Sequence, residues 1–329
     1  MKTFRYETPA DPAAAVAAVA GHPGAAYLAG GTNLVDHLKL GVTAPDVLVD
    51  VSRLPLDVVA ETAEGGLRVG ANVRNSDLAA HPIVRRRYPV LARALLAGAS
   101  PQLRNMATTA GNLLQRTRCV YFRDPSTPCN KRAPGSGCTA LGGYTRYHAV
   151  LGASEHCVAT HPSDMAVALL ALDAEVTVLG AQGERCVPVE QLYRLPGDSP
   201  ERDTVLEREE LILHVEIPAP EGAVSTYRKV RDRASYAFAL VSVAADLTIV
   251  DGLITGCRVA LGGVAHRPWR AHRAEHVLLG SAPDDAVFAA AADAELADAR
   301  PLDGNEFKVP LLRRTLVSVL RELTSEAVA

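Results

Sequence analysis

The sequence predicts an α+β fold of two or three units, and three observations support this prediction. The chain has 329 residues, more than one ordinary domain holds, and 48% of them are hydrophobic, enough for several cores. Short apolar runs alternate with helical segments near the N-terminus, whereas apolar and polar residues alternate one by one in later runs. The C-terminal part combines a hairpin signal with a helical tail.

The first unit, residues 1–60, is typical of a small α/β structure. Asp11 stands where it can cap an Ala-rich helix. Apolar runs at residues 25–28 and 47–51 predict strands on either side of a helix over residues 34–40. Because short strands that alternate with helices usually pair in parallel, we expect a small parallel sheet here.

The second unit, residues 61–222, is more mixed. Alternating apolar residues predict strands over residues 175–179 and 211–217, and Ser163 is placed to cap an apolar helix. Residues 116–159 are rich in Gly, Pro, Cys and Arg and show little periodicity. Since plain loops rarely exceed about 15 residues, this segment is interpreted as a functional insertion.

The third unit, residues 223–329, follows a Pro- and Gly-containing segment at residues 218–222 that predicts a linker. Two apolar runs separated only by Asp251 and Gly252 predict a β-hairpin, because this pair tolerates the positive φ angles of a tight hairpin turn. An amphipathic run over residues 311–323 predicts a C-terminal helix.

Composition disfavours several classes of protein. A formal net charge of −3 gives no reason to expect binding to nucleic acid or to an anionic membrane surface. The sequence contains no run of about 18 apolar residues, so it predicts no membrane-spanning helix. The N-terminal segment lacks an apolar region behind a basic start, so we expect a cytoplasmic location, with export as a passenger on a signal-bearing partner as the alternative. The six cysteines are then expected as thiols rather than disulfides.

A glycine loop joins the second predicted strand to the next helix and reads Ala29-Gly30-Gly31-Thr32-Asn33. Without Cβ atoms, such a backbone can approach a phosphate and point successive N–H groups at it, although a Gly-Gly step is also common in plain turns. The absence of a GxGxxG motif disfavours a Rossmann dinucleotide site, and the absence of GxxxxGK[ST] disfavours NTP hydrolysis.

A second loop of small residues contains Thr108, Gly111 and Asn112. Taken alone, it is typical of a plain turn. Together with the glycine loop, however, it would provide two small-residue loops that could hold the two ends of one pyrophosphate or the sugars beside it.

The insertion contains four of the six cysteines, Cys119, Cys129, Cys138 and Cys157. Arginines and lysines lie among them, and such cations would help to hold an anionic iron–sulfur cluster. Free thiols, structural zinc and an iron–sulfur cluster all remain open, because the close Cys pairs typical of zinc sites are missing and the spacing is unlike that of a ferredoxin.

The order of these motifs resembles that of a known family. The AGGTNL loop, the second loop ending in Gly111-Asn112, the Ser-Asp pair ending at Asp164 and the aromatic-x-Lys element ending at Lys229 are similar to those of the flavin subunit of the xanthine dehydrogenase and carbon monoxide dehydrogenase family. The resemblance covers essentially the whole chain. It departs at Ala110, where the family usually has a glycine.

The resemblance implies a FAD-binding domain of the PCMH type over residues 1–222, in two subdomains, followed by a smaller α+β C-terminal domain. In this family, the glycine loop holds the FAD pyrophosphate and the second loop holds the flavin side. Asp164 would bond a cofactor hydroxyl, Ile212 would pack near the flavin, and Lys229 would lie near the ring, where a cation stabilises an anionic reduced flavin. Without the resemblance, Lys229 would be interpreted as an exposed strand lysine. The implied FAD-binding residues are Tyr27, Leu28, Ala29, Gly30, Gly31, Thr32, Asn33, Leu34, Thr108, Gly111, Asn112, Asp164, Ile212 and Lys229.

A subset of these flavin subunits carries an inserted loop whose four cysteines bind a 4Fe–4S cluster, and the insertion looks like that of the periplasmic-type aldehyde oxidoreductase branch. The resemblance therefore implies that the metal ligands are Cys119, Cys129, Cys138 and Cys157. Cys186 and Cys257 are expected to be small core residues.

The resemblance implies an FAD- and 4Fe–4S-binding electron-transfer subunit of a multi-subunit molybdenum hydroxylase that oxidises aldehydes. One partner subunit would bind the molybdenum–pterin cofactor and another two 2Fe–2S clusters, in a heterotrimer or its dimer, and electrons would leave FAD for an external acceptor. No catalytic residue is then expected on this chain. The alternatives are a stand-alone flavin oxidoreductase with its own substrate pocket and a metal-stabilised scaffold without redox turnover.

Overall fold

The computed structural model describes residues 1–220 and 223–328, so the predicted linker at 218–222 lies partly outside the described residues. The strands are β1 (Arg5–Glu7), β2 (Ala25–Leu28), β3 (Val47–Asp50), β4 (Val59–Glu61), β5 (Leu67–Gly70), β6 (Glu175–Gly180), β7 (Gly183–Pro188), β8 (Leu211–Ile217), β9 (Val224–Val230), β10 (Val241–Val250), β11 (Leu253–Gly262) and β12 (Trp269–Arg270). The helices are α1 (Pro12–Ala20), α2 (Leu34–Leu40), α3 (Asn75–Ala80), α4 (Pro82–Arg87), α5 (Pro89–Ala97), α6 (Pro101–Arg104), α7 (Thr109–Leu113), α8 (Val120–Arg123), α9 (Asp164–Ala171), α10 (Val189–Leu192), α11 (His272–Leu278), α12 (Asp285–Leu296) and α13 (Lys308–Val328).

The N-terminal sheet has the order β1-β3-β2, and both pairings are parallel, which confirms the prediction. Asp11 caps α1 by accepting a hydrogen bond from the backbone N–H of Ala14 at 2.7 Å. Helix α2 ends at Gly41, whose φ of 72° lies in the left-handed region that glycine adopts without strain. The carboxyl ends of β2 and β3 therefore lie next to each other, and the glycine loop leaves β2 at this edge.

The central sheet is antiparallel and has the order β4-β5-β8-β6-β7. Its inner strands β5, β6 and β8 pack against α5 and α9 in the most extensive hydrophobic cluster of the described residues. Helix α9 is buried on all sides, which explains why its residues are apolar without an amphipathic period. Its N-terminus is fixed by Ser163, whose side chain accepts from the N–H of Ala166.

The C-terminal sheet is antiparallel and has the order β12-β11-β10-β9. Asp251 and Gly252 join β10 to β11 with φ angles of 52° and 78°, so the predicted hairpin is confirmed together with the backbone angles that it requires. Helices α11, α12 and α13 cover one face of this sheet and form a second hydrophobic cluster with it. Helix α9 contacts β10, β11 and β12 of this sheet, and its buried residues share a hydrophobic cluster with residues of the central sheet.

The insertion over residues 116–159 has little regular structure apart from α8. It is held instead by single backbone contacts to both neighbouring parts of the chain. The backbone N–H of Arg116 donates to Oδ1 of Asn33 in the glycine loop at 3.0 Å. The N–H of Leu151 donates to the carbonyl of Val264, which follows β11, at 3.0 Å. The insertion therefore bridges the glycine loop and the C-terminal sheet.

Candidate cofactor-binding sites

A cavity of about 970 Å³ lies where the glycine loop, the second small-residue loop, the N-terminus of α9 and the start of the insertion meet. Segments from all three predicted units of the chain line it, which is typical of a site for a large cofactor. The predicted FAD-binding residues in its wall are Gly30, Gly31, Thr32, Asn33, Gly111, Asn112 and Asp164. This cavity is called the flavin cavity below.

The glycine loop touches the second loop so closely that only glycine fits at one position. A Cβ added at Gly30 would lie 1.9 Å from the backbone oxygen of Met106. Gly31 has a φ of 71°, and a Cβ there would come within 3.1 Å of the Val35 side chain. The two glycines therefore have different reasons to be glycine: close backbone approach at Gly30 and a left-handed backbone at Gly31.

Hydrogen bonds to residues that follow β5 of the central sheet hold the second loop on the side away from the cavity. Thr108 caps the short helix α7 by accepting from the N–H of Gly111, and the hydroxyl of Thr109 donates to the carbonyl of Val73 at 3.0 Å. The Ser163 hydroxyl donates to Oδ1 of Asn112 at 2.6 Å, which joins this loop to the N-terminus of α9. Thr108 thus shapes the loop from behind instead of lining the cavity.

Asp164 lies in the cavity wall and is held on both oxygens by protein donors. Oδ2 accepts from Nζ of Lys229 at 2.8 Å, and only 3% of the lysine side chain and 9% of the aspartate side chain are exposed. Oδ1 accepts from the Tyr227 hydroxyl, whose pKa is raised by its burial and by the neighbouring carboxylate. Nζ of Lys229 also donates to the carbonyl of Ala97 at 3.2 Å.

Lys229 is therefore neither the exposed strand lysine of the alternative interpretation nor part of the cavity lining. Its strand β9 is paired with β10, and Lys229 and Tyr227, two residues apart, lie on the same face and reach the same carboxylate. The ion pair neutralises the lysine, so in this structure it acts on the cavity through Asp164.

Ile212 does not lie at the flavin cavity, and its predicted flavin contact has no support from its position. Its side chain is 1% exposed and belongs to the hydrophobic cluster under the central sheet. In the pairing of β8 with β6, Ile212 lies opposite Val178. A register shift between Thr177 and Val178 fixes this arrangement of β8. The register of β8 determines the face on which the Ile212 side chain lies.

The remaining predicted residues support the glycine loop from the side of the sheet. The Tyr27 hydroxyl donates to the carbonyl of Glu209 at 2.6 Å, and its burial raises its pKa. Ala29 packs against the hydrophobic cluster of the N-terminal sheet. Leu28 ends β2, and Leu34 begins α2. None of these four residues is in the described lining of the flavin cavity.

Several residues of the cavity wall were not predicted from the sequence. They lie at the start of the insertion, in its last part and in the loop after β9, and they include Arg118, Arg123, Tyr144, Tyr147, Arg233, Tyr236 and Phe238. Burial and the neighbouring Arg123 lower the pKa of Arg118 to about 10, which still leaves its guanidinium charged at neutral pH. The clustering of arginines was visible in the sequence, but was interpreted only in relation to the thiols.

A second, small cavity lies inside the insertion, and all four of its cysteines line it. Its volume is about 10 Å³, roughly the space of one water molecule. Cys129 and Cys138 face each other in an isolated antiparallel bridge, and Cys157 is buried beside them. Cys119 lines this thiol cavity and the flavin cavity, so the two sites share one wall.

Cys119 and Cys157 lie in an apolar environment that disfavours their thiolate forms. Burial raises the pKa of Cys119 to about 11 and that of Cys157 to about 12. Nε2 of His148 lies 3.2 Å from Sγ of Cys119, and burial lowers the pKa of this histidine to about 4, so the ring is neutral at neutral pH. His148 therefore contacts a predicted ligand, although the sequence gave no reason to distinguish it from other loop histidines.

The cations of the insertion are mostly neutralised by partners other than the thiols. Lys131, which lines the thiol cavity, pairs with Asp203 and donates to the carbonyl of Pro200 at 2.7 Å. Nε of Arg116 donates to the other carboxylate oxygen of Asp203 at 2.6 Å. Although burial opposes ionisation, His266, Lys131 and Arg116 hold the pKa of Asp203 well below its usual range. Arg132 donates to backbone carbonyls of the insertion, so its main contribution is to the loop fold.

The prediction for Cys186 is wrong. Cys186 is exposed, because β7 is the edge strand of the central sheet and has nothing packed on most of its residues. Cys257 is half-buried and packs against the C-terminal hydrophobic cluster, in agreement with the prediction. Both lie outside the lining of the thiol cavity.

The described residues offer neither a single-ion metal site nor a membrane-spanning helix. No group of three or more His, Cys, Asp or Glu side chains is arranged to hold a single metal ion. Among the helices of residues 1–220 and 223–328, none has the length and apolar character that a membrane crossing demands.

The chain is similar to known protein families over nearly its whole length. The profile of the FAD binding domain in molybdopterin dehydrogenase matches residues 2–220, and that of the CO dehydrogenase flavoprotein C-terminal domain matches residues 225–324. The aldehyde oxidoreductase FAD-binding subunit PaoB of Escherichia coli is 55% identical over 99% of this chain and 100% of its own length. The glyceraldehyde dehydrogenase medium chain of Sulfolobus acidocaldarius is 28% identical over 78% of this chain and 74% of its own.

The fold is also similar to that of a solved structure. One chain of carbon monoxide dehydrogenase from Hydrogenophaga pseudoflava, in a form that lacks the Mo-pyranopterin moiety of its cofactor, superimposes with a TM-score of 0.78 at 26% identity and covers 98% of both chains. Both family profiles, the full-length relative and this structure agree. The chain belongs to the FAD-binding medium subunits of the carbon monoxide and xanthine dehydrogenase family, and it is the FAD-binding subunit of an aldehyde oxidoreductase-like molybdenum hydroxylase.

Proposed function

We propose that this chain is the FAD- and 4Fe–4S-carrying electron-transfer subunit of a molybdenum hydroxylase that oxidises aldehydes. The observation that carries the proposal is the convergence of Cys119, Cys129, Cys138 and Cys157 on one small cavity, next to the flavin cavity. Four thiolates are the ligand set of a 4Fe–4S cluster.

The flavin cavity fits FAD in size and in the chemistry of its wall. Gly30 and Gly31 allow the backbone to approach a phosphate, and Asn112 and Asp164 offer polar groups for hydroxyls of the cofactor. When bound, FAD would accept electrons singly or in pairs. The protein holds the cofactor and orients it, and Lys229 and Tyr227 keep the Asp164 carboxylate in place.

A cluster explains the thiols better than zinc does. Structural zinc sites usually contain close Cys-x2-4-Cys pairs, and none occurs among the four cysteines of the insertion. A cluster with four irons holds its thiolates further apart than a single zinc ion does. The present cavity of about 10 Å³ would widen as a cluster binds, and Cys119 and Cys157 would lose their protons, because a thiolate is the ligand form.

The substrate and the partners are proposed from similarity. The relative at 55% identity over the full length is named as the FAD-binding subunit of an aldehyde oxidoreductase. On this basis, a molybdenum–pterin subunit would oxidise the aldehyde, a 2Fe–2S subunit would pass the electrons, and this chain would deliver them from FAD to an external acceptor. Substrate chemistry would then lie on the partner chains.

The test is the cofactor content of the complex purified without exposure to air. Flavin, iron and acid-labile sulfide should be present, and separation of this chain from its partners should leave it with flavin, four irons and no aldehyde oxidation. Zinc in place of iron would overturn the cluster. Aldehyde oxidation by the isolated chain would favour a stand-alone flavin oxidoreductase, and a preparation with neither chromophore would favour a scaffold.

A further inference from the structure

Arg118 lies in the wall of the flavin cavity and has no anionic partner among the described residues. One guanidinium nitrogen donates to the carbonyl of Arg116 at 2.6 Å, and the guanidinium lies over the ring of Phe238 at 5.0 Å. No carboxylate of the described residues is within salt-bridge distance of it. An arginine has five N–H donors in a planar fork, so most of the donors of Arg118 remain available.

The other arginines of the same segment have partners within the protein. Arg116 pairs with Asp203 at 2.6 Å, and Arg123 lies 3.8 Å from Asp36. Arg132 donates to the carbonyls of Tyr121 and Phe122, and it does not line the flavin cavity. Arg118 is therefore the cation of this segment whose charge is left for a ligand. A charge held in a partly desolvated cavity without a partner is unfavourable unless a ligand supplies the counter-charge.

The segment that carries Arg118 lies directly against the glycine loop and the helix that follows it. The backbone N–H of Arg116 donates to Oδ1 of Asn33 at 3.0 Å. The ring of Phe122 packs edge-on against His37 of α2, with 5.6 Å between the ring centroids. Residues 116–123 thus contact the end of the glycine loop and helix α2, and Arg118 lines the same cavity as Gly30 and Gly31.

We propose that Arg118 binds the pyrophosphate of FAD, and that the cysteine-rich insertion thereby completes the FAD site. Its planar fork can donate two parallel hydrogen bonds to phosphate oxygens, a geometry that lysine cannot reproduce. The backbone N–H groups of the glycine loop would hold the pyrophosphate from one side, and Arg118 would neutralise it from the other. The insertion then serves FAD directly, independently of the metal that its thiols bind.

The test compares Arg118→Gln and Arg118→Lys with the control Arg86→Gln in the purified multi-subunit complex. Arg86 is an exposed arginine of α4 outside the cavity lining, so its loss removes the same charge without touching the site. After removal of FAD, the dissociation constant of added FAD should rise at least about 10-fold for Arg118→Gln, the size of one lost charge-assisted hydrogen bond. Arg118→Lys should be intermediate and the control unchanged.

Two further readouts separate a phosphate contact from other roles. Inorganic pyrophosphate should compete with FAD for the wild-type apo-complex and compete less for Arg118→Gln. Iron content and the flavin midpoint potential should stay unchanged in both variants. Unchanged FAD affinity would overturn the proposal, and so would a weakened affinity accompanied by a shifted flavin potential, which would place Arg118 at the ring. If Arg118→Gln fails to fold, Arg118→Lys and its pyrophosphate competition decide alone.

Discussion

The flavin cavity and the thiol cavity share Cys119 but are built in opposite ways. The flavin cavity holds about 970 Å³, and its wall comes from loops far apart in the chain that hydrogen bonds fix against regular elements. The thiol cavity holds about 10 Å³, and every residue that lines it comes from one segment, residues 119–159. The larger site is a wide cavity between separate elements, whereas the smaller one is almost filled by the side chains that line it.

This difference shows how each site depends on its ligand. A pocket that the fold holds open loses little order without its cofactor, so FAD should bind to an already formed site. The thiol segment has almost no helices or strands to hold it, and its buried thiols lack a charge partner except Lys131. A metal cluster bound by such a segment contributes to its folding. The following predictions test this contrast, from the largest effect to the smallest.

The largest effect is expected for Gly30→Ala. The added Cβ would lie 1.9 Å from the backbone oxygen of Met106, so the two loops that frame the flavin cavity would have to separate. We expect complete loss of FAD with retention of iron, measured as flavin released after acid precipitation and as iron by chelation. Gly41→Ala is the matched control. Gly41 has a positive φ but open space around it, so this variant loses some stability and keeps its FAD.

The second effect concerns the thiols. Serine at Cys119, Cys129, Cys138 or Cys157 should lower iron content severely, because a serine oxygen is a poor ligand for the cluster. Of these four variants, only Cys119→Ser should also weaken FAD binding, since this residue is in both cavity walls. Iron and flavin assays on the same preparations give the answer. Full iron content in any one of the four would contradict the ligand set.

The matched controls in the thiol series are Cys186→Ser and Cys257→Ser. Cys186 is exposed on an edge strand, so its replacement should change neither cofactor nor stability measurably. Cys257 is half-buried and packs against the C-terminal cluster, so its replacement should lower stability slightly and leave iron and flavin intact. Loss of iron in either variant would move the cluster away from the insertion.

A third effect is expected for Lys229→Met, which breaks the buried ion pair with Asp164. Removal of one partner from a buried pair leaves the other charge unpaired, and the free energy of unfolding should fall by about 3 kcal/mol. Urea unfolding followed by flavin release measures it, and FAD affinity should fall with it because Asp164 loses its orientation. Lys39→Met removes an exposed lysine from α2 and should change neither quantity. Equal effects in the two variants would contradict a buried pair.

The smallest effect is expected for Ile212→Val. One methylene is removed from a packed core, so stability should fall by about 1 kcal/mol. The flavin absorption spectrum should not change, because Ile212 lies in the hydrophobic cluster under the central sheet. Ile254→Val makes the same change in the C-terminal cluster and should cost a similar amount. A spectral shift specific to Ile212→Val would restore the flavin contact implied by resemblance.

Local signals in the sequence predicted the parts of the fold that depend on neighbouring residues. Helix α2 has the predicted bounds, because Leu34 starts its apolar run and Gly41 ends it in a left-handed conformation. The Asp251-Gly252 turn is formed as predicted for the same reason. The glycine loop was found from its composition, and resemblance then supplied the cofactor that it serves.

Contacts between distant residues could not be predicted in this way. The hydroxyl of Tyr227 reaches Asp164 because β9 pairs with β10, which packs against α9, and no pattern within either segment predicts that contact. Cys186 alternates like a core residue, but it lies on a strand that the sheet leaves at its edge. Arg118 is next to Cys119 in the sequence, which suggests a role at the metal, but its side chain lines the flavin cavity. Only the three-dimensional arrangement separates these cases.

Asp203 limits how this chain could be re-engineered. One of its oxygens pairs with Lys131 in the middle of the insertion, and the other pairs with Arg116 at the start of the insertion, whose backbone contacts the glycine loop. Excision of the insertion would leave this carboxylate without both cations, and transplantation into a relative without an equivalent carboxylate would leave the lysine without its counter-ion. The insertion is therefore not an exchangeable cassette. A functional graft has to carry residues 116–159 together with the distant loop that contains Asp203.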